Sequence, residues 1–311
     1  MREWGFVRWF RNASVVAVAV AATLGLAACG GSDGGDKPAA QSKGGAPIVV
    51  ASFNFTDSQI LAEIYAQALQ AKGINVEKKL NIGSRETYIP GLQDGSIDLI
   101  PEYSGVLLQY FDKNATQVSS DDVFAALKTK VPAKLTVLDQ STAEDKDSVT
   151  VTKETADKYN LKSIADLQPV AGQLTLGGPP EWKTRQTGAP GLKAKYNVVF
   201  KEFKSLDAGG PLTINALKNG SIQAGDVFTT DPNIVANGWV ALEDPKFLFA
   251  AQNVLPLINK AKASQQVTDA LNAVSAKLTT ETLLDLDKQV ISDKKDPAEV
   301  AKSFLSSNGL G

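Results

Sequence analysis

From residue 48 onward, apolar and polar positions alternate between strand-like and helix-like spacing. Ile48-Val49-Val50-Ala51 is a short apolar run of the kind found in a strand buried on both faces. The polar loop Ser52-Phe53-Asn54-Phe55 follows, with Thr56 as an N-cap and Asp57 in the first turn of a helix. Ile60, Leu61, Ile64, Tyr65, Ala68 and Leu69 fall on one face of that helix, and Gly73 ends it. Ile74-Asn75-Val76 starts the next strand, so the chain opens with a βαβ unit and its class is α/β. Further on, Val149-Thr150-Val151 reads as a strand and Lys153 to Tyr159 as a helix. Ser163-Ile164-Ala165-Asp166 has the spacing of a capping box. After Pro256 the pattern turns mostly helical, with Leu271, Val274, Leu278, Leu283, Leu284 and Leu286 at helical spacing. A last helix opens at Asp296-Pro297-Ala298-Glu299 and closes at Asn308-Gly309.

The same pattern occurs twice. Leu92-Gln93-Asp94-Gly95-Ser96-Ile97-Asp98 is echoed 125 residues later by Leu217-Lys218-Asn219-Gly220-Ser221-Ile222-Gln223. Each copy is a helix end, a glycine turn and a strand, and glycine suits the positive φ of such a helix end. Each places an aromatic eight residues past its glycine, Tyr103 and Phe228, just beyond the carboxyl end of a strand. In open α/β sheets that edge faces the ligand crevice. Two similar lobes would then close on a cleft from both sides. The same spacing equally suits two core aromatics at a common helix–turn–strand junction.

Ahead of these elements the chain is of another kind. Arg2, Arg8 and Arg11 precede an uncharged run from Ala13 to Ala28, too short for a spanning helix, which needs about 20 residues. This is the form of a secretory signal. The run ends Leu26-Ala27-Ala28-Cys29-Gly30, which resembles the lipobox of bacterial lipoproteins, and Cys29 is the only cysteine in the chain. Gly30 to Gly45 has no apolar period and reads as a flexible tether. The expected organisation is a signal peptide over 1–28, a lipidated Cys29 with its tether over 29–47, a first lobe over 48–146 plus 253–311, and a second lobe over 147–252. Such a chain works lipid-anchored on the outer face of the cell membrane.

Composition removes several functions. No histidine is present, which excludes Ser-His-Asp and Cys-His triads and disfavours zinc. A single cysteine excludes an internal disulfide. The net charge of −2 lacks the basic face that nucleic acid requires. A chain of 311 residues with 43% apolar positions has room for two lobes, at roughly 100–200 residues per domain.

Several stretches, in order from about 48 to 260, resemble the substrate-binding proteins of osmoprotectant ABC importers. These proteins capture glycine betaine, choline, carnitine or proline betaine. The stretches are Ser52-Phe53-Asn54-Phe55-Thr56-Asp57, Gly95-Ser96-Ile97-Asp98 with Pro101-Glu102-Tyr103-Ser104-Gly105, Glu181-Trp182-Lys183-Thr184-Arg185 with Gly191-Leu192 and Tyr196, and Ala216 to Ile222 with Thr230-Asp231. The resemblance implies a hinged two-lobe periplasmic-binding-protein fold of type II with ligand between the lobes. A quaternary ammonium has no N–H to donate, so aromatic faces hold it, at about 2 kcal/mol or more per desolvated ring. Its carboxylate calls for an arginine fork or a helix N-terminus. By resemblance Tyr103 is a cage tyrosine, Arg185 the carboxylate ligand, Glu181 its orienting partner, and Phe228 a second cage position; Phe53, Asn54, Asp147 and Thr229 complete the expected set.

The chain also departs from the family pattern. Phe53 replaces a loop lysine, Val106 a threonine and Asp147 a tyrosine, and an aromatic near Asn253 is missing, with Gln252 closest. The expected function is capture of a quaternary amine or betaine and its delivery to an ABC permease with its ATPase. The protein would act as a monomer, with no cofactor, no metal, no nucleic-acid partner and no chemistry done on the solute. A flatter hydroxylated or aromatic solute is the alternative. A more remote one is a lipid-anchored hydrolase using Glu102, Asp226 or Asp231.

Overall fold

The computed structural model describes residues 45–311. The expected signal peptide, Cys29 and most of the tether lie outside the described residues.

Two mixed five-stranded sheets organise the described chain. In the first, β1 (Ile48–Ala51) lies between the parallel strands β2 (Val76–Lys79) and β3 (Leu99–Tyr103). Next to β3 runs the antiparallel β10 (Val254–Asn259), then β4 (Leu135–Val137). In the second sheet, β6 (Thr175–Gly178) lies between the parallel β7 (Glu202–Ser205) and β8 (Ala224–Phe228). The antiparallel β5 (Asp147–Val151) and then β9 (Val240–Ala241) complete it. The strand orders β2-β1-β3-β10-β4 and β7-β6-β8-β5-β9 therefore correspond strand for strand. This is the two-lobe α/β architecture that the sequence pattern predicted.

Each sheet has its own apolar core. α1 (Thr56–Ala71) buries Ile60, Leu61, Ile64, Tyr65, Ala68 and Leu69, the face its spacing predicted. Helices Gln265–Ser275 and Pro297–Ser307 share that core through Leu271, Val274 and Leu305. Behind the second sheet, Trp182 is buried with its ring 6.0 Å from that of Phe249.

Two local expectations shift. Thr56 is already helical and the N-cap is Phe55; the Ser58 hydroxyl instead accepts from the Phe53 N–H at 3.0 Å. Pro256 does not begin the helical region but sits inside β10, opposite Pro101 of β3. Its carbonyl accepts from the Leu138 N–H at 3.0 Å, so the proline deprives the sheet of one donor and no acceptor.

The chain crosses from the first sheet to the second between β4 and β5 and returns between β9 and β10. The crossings run side by side and antiparallel: the Asp145 N–H donates to the Gln252 carbonyl at 3.2 Å, and the Val254 N–H to that of Ala143 at 3.0 Å. Two such neighbouring strands are a hinge geometry, since small dihedral changes in a few residues swing one sheet against the other.

Candidate functional site

The echoed aromatics mark the site. β3 and β8 hold the same place in their sheets and end on Tyr103 and Phe228, and both line a cavity of about 470 Å³ between the two sheets. Gly95 and Gly220, which turn the chain into these strands, have φ of 85° and 71°. Of the other expected residues, Phe53, Asn54, Asp147, Glu181 and Arg185 line the same cavity. Thr229 does not. It lies one position past the strand, and its hydroxyl donates to Asp145 Oδ1 at 3.2 Å and accepts from the Lys146 N–H at 3.0 Å.

One wall is aromatic and draws on both sheets. Phe53 and Phe55 have ring centroids 4.9 Å apart, and each lies 6.1 Å from the Tyr103 ring. Phe55 also reaches across to Phe228 at 4.8 Å. Phe55 was read from the sequence only as part of a loop. The Phe-x-Phe spacing, which in an extended segment turns both rings to one side, is the signal that marks it.

Both arginines of the cavity already have partners. Arg85, at the start of α2 (Arg85–Asp94), forms a buried two-pronged pair with Glu102, Nε to Oε1 at 2.8 Å and Nη2 to Oε2 at 2.6 Å, and lies 4.9 Å over the Phe53 ring. Glu102 also accepts from the Tyr88 hydroxyl and from the Tyr103 N–H. Every lone pair of that carboxylate is thus engaged in holding the strand end, which leaves it unsuited to a hydrolytic role. Asp231 is similarly occupied as the N-cap of helix Pro232–Ala236.

Arg185 pairs across the cleft with Glu86 of α2, Nη2 to Oε2 at 2.9 Å. The expected orientation by Glu181 is not what the structure shows. Residues 180–183 form a 3-10 turn, in which the Arg185 N–H donates to the Glu181 carbonyl at 2.9 Å while the guanidinium points to the other lobe. Burial pushes the Glu86 carboxyl up, but hydrogen bonds from Arg185 and Ser84 outweigh it and hold it down at about 2.

The floor is acidic. Asp147 stands beside Phe228 in the β5–β8 pair, and Gln252 Nε2 donates to its Oδ2 at 3.4 Å. The two positions where the family pattern expected aromatics therefore meet in a polar contact. Asp226, on the same face of β8, is fully buried and lines the cavity, and its carboxyl finds no donor among the described residues. Burial raises both Asp147 and Asp226, Asp226 well above the carboxylate range with the Asp147 charge adding to it. Below them Tyr103 donates to Asp57 Oδ1 at 2.5 Å, and Thr230 ties Asp145 to Asp287 by bonds of 3.1 and 2.6 Å. Among the described residues no group of three or more His, Cys, Asp or Glu side chains is placed to hold a metal ion.

Two hinged α/β lobes around a ligand-sized cavity lined from both sides define a solute receptor of the periplasmic-binding type. Residues 46–307 match the family described as the substrate binding domain of ABC-type glycine betaine transport systems, and the chain belongs to that family. It is an extracytoplasmic solute-binding component of an ABC importer. It is 29% identical over 269 residues to the ergothioneine transport permease/ergothioneine binding protein of Helicobacter pylori strain G27, covering 85% of this chain and 48% of that relative, so it spans about half that protein's length. It is 25% identical to the carnitine transport binding protein of Listeria monocytogenes serotype 1/2a, covering 84% of this chain and 86% of the relative. The crystal structure of a glycine betaine/carnitine/choline ABC transporter protein superimposes with a TM-score of 0.66 at 23% identity, covering 85% of this chain and 99% of that one, which is a likeness of fold.

Proposed function

We propose that this chain is a lipid-anchored receptor that captures a small quaternary amine or betaine between its lobes and presents it to the permease and ATPase of an importer. The supporting observation is the aromatic wall: Phe53 and Phe55 of the loop after β1, Tyr103 at the end of β3 and Phe228 at the end of β8 border one cavity. A quaternary nitrogen offers no hydrogen bond, and ring faces are the side chains that attract it. The names of the Listeria and Helicobacter relatives, a carnitine and an ergothioneine binder, fit this solute class. The lobes we assign are residues 48–146 with 253–311 and residues 147–252, turning on the paired crossings. Asn54, Asp147 and Glu181 add polar contacts, and Arg185 closes the mouth against Glu86. Anchoring rests on Cys29 within Leu26-Ala27-Ala28-Cys29. The receptor acts as a monomer and does no chemistry on its cargo.

Thermal unfolding with glycine betaine, choline and carnitine tests this reading. A ligand at a hundredfold excess over its Kd adds about 2.7 kcal/mol, which for a chain of this size raises Tm by about 5 °C or more. At least one of the three is expected to do so. A second reading, a flatter hydroxylated or aromatic solute, is favoured by the Asp147–Gln252 contact that stands where cage aromatics were expected. Stabilisation by such compounds with no response to any of the three would select it.

A further inference from the structure

The charged groups of the cleft do not balance around a neutral zwitterion. Arg85 is committed to Glu102 and Arg185 to Glu86. On the opposite side, Asp207 is engaged by the Leu212 and Thr213 N–H groups of helix Pro211–Lys218. Of the other carboxyls that line the cavity, Asp145 accepts from Thr229 and Thr230 and Glu181 is partly exposed, which leaves Asp147 and Asp226. In the β5–β8 register Asp147 opposes Phe228 and Val149 opposes Asp226, so the two aspartates are diagonal neighbours on one face of the sheet and both line the cavity. Asp147 has the Gln252 amide as a donor; Asp226 is fully buried and has none among the described residues.

We propose that Asp226 is a solute-binding residue: with Asp147 it forms a carboxyl pair that holds one proton in the empty cleft and releases it when a solute of net positive charge enters. This rests on the reading of the cleft as a receptor for quaternary amines, and it narrows that class to monocations of the choline type. The physical argument is the cost of ionising the fully buried Asp226 carboxyl beside the half-buried Asp147. Two neighbouring carboxyls of like charge are costly to ionise together, and a shared proton relieves that cost in the solute-free site. The groups facing the pair act in opposite senses. Asp145, buried at the first crossing, adds repulsion. Arg85 and Arg185 lower the cost, but each shares its charge with its own glutamate. Burial and the neighbouring Asp147 push the Asp226 carboxyl well above the ordinary range. A monocation set against the aromatic wall takes over the proton's electrostatic role, and the proton passes to solvent. A zwitterion brings a carboxylate for which the described residues of the cleft offer no uncommitted guanidinium.

The test has one arm without solute and one with it. Carboxyl carbon NMR of the solute-free protein is expected to show one of the two aspartates still protonated near neutral pH; ordinary titration of both below about pH 4.5 overturns the proposal. Calorimetric titration with choline in two buffers of different ionisation heat is expected to show proton release. Its affinity should rise with pH, approaching tenfold per unit below the pH at which the solute-free pair gives up its proton and levelling off above it. Choline should also bind about tenfold or more tightly than glycine betaine. The Asp226→Asn side chain can donate to Asp147 as the protonated acid does, so the variant keeps the empty cleft intact. It is expected to lose the proton release and to bind choline about tenfold more weakly. Glycine betaine binding more tightly than choline, or choline binding with no proton released, overturns the exchange and leaves the quaternary-amine reading standing. Failure of choline, glycine betaine and carnitine alike to bind overturns both, and the NMR arm then reports separately whether the pair holds its proton.

Discussion

Asp57 sits in the first turn of α1, where an N-terminal carboxylate is favoured by the helix dipole, yet burial pushes it up from 3.8 to about 6 against the hydrogen bonds of Tyr103, Asp145 and Ser58. Burial likewise raises Asp145 and Asp287 well above the usual range. A carboxyl with a raised folded pKa binds protons that the unfolded chain has already released. Its contribution to stability is complete below about pH 4 and is lost as pH rises through about 6 and beyond. Glu86 works in the opposite sense, and its contribution is lost only as pH falls from about 4.5 through 2. The solute-free protein is therefore expected to lose Tm steadily between pH 4 and pH 7, and Asp57→Asn to flatten the portion from about pH 4 to pH 6. A melting temperature independent of pH across that range would refute the account. Composition gave the number of acids but not this clustering: Asp57, Asp145 and Asp287 are remote in the chain, and only tertiary contact makes them one titrating group.

Among the elements, β3 with α3 (Ser104–Phe111) shows how backbone proximity fixes the site. A Cβ on Gly105 would lie 2.5 Å from the Ala251 carbonyl oxygen, and the Ser104 hydroxyl donates to that same oxygen at 3.1 Å. The turn after Tyr103 is thus pressed against the returning crossing, and the glycine is there because nothing larger fits. Gly105→Ala is expected to destabilise the protein by about 1–3 kcal/mol in denaturant unfolding, as overpacking typically does. Wild-type stability in that variant would mean the crossing yields freely. The echo of residues 92–98 in 217–223 was legible because a helix end, a glycine turn and a strand each impose a residue preference. Helix against hinge was not legible, because no local periodicity encodes which distant carbonyl lies above Gly105.

At the scale of the whole molecule, the two lobes touch across the cleft at Phe55–Phe228 and Glu86–Arg185. The aromatic contact is indifferent to salt. The ion pair is partly exposed, and such pairs contribute about 0.2–1 kcal/mol. Solution scattering is expected to show a smaller radius of gyration with saturating solute than without. Glu86→Gln should speed solute dissociation by up to about fivefold while leaving the bound-state radius unchanged. An identical radius with and without solute would remove hinge closure from the mechanism.

The sequence by itself determined the α/β class, the doubled helix–glycine–strand unit and the two aromatics at its strand ends, because these follow from periodicity and from the few residues that tolerate a given backbone. Resemblance to the family's motifs also pointed to Glu181 and Arg185, and departures from those motifs to Phe53 and Asp147, all of which line the one cavity. Only the tertiary structure decided the electrostatics: that Arg185 answers to Glu86 rather than Glu181, that Thr229 serves Asp145, and that Asp226 is buried beside Asp147 without a donor. Charge pairing and desolvation depend on distance and burial in space, and neither is written in the spacing of residues along a chain.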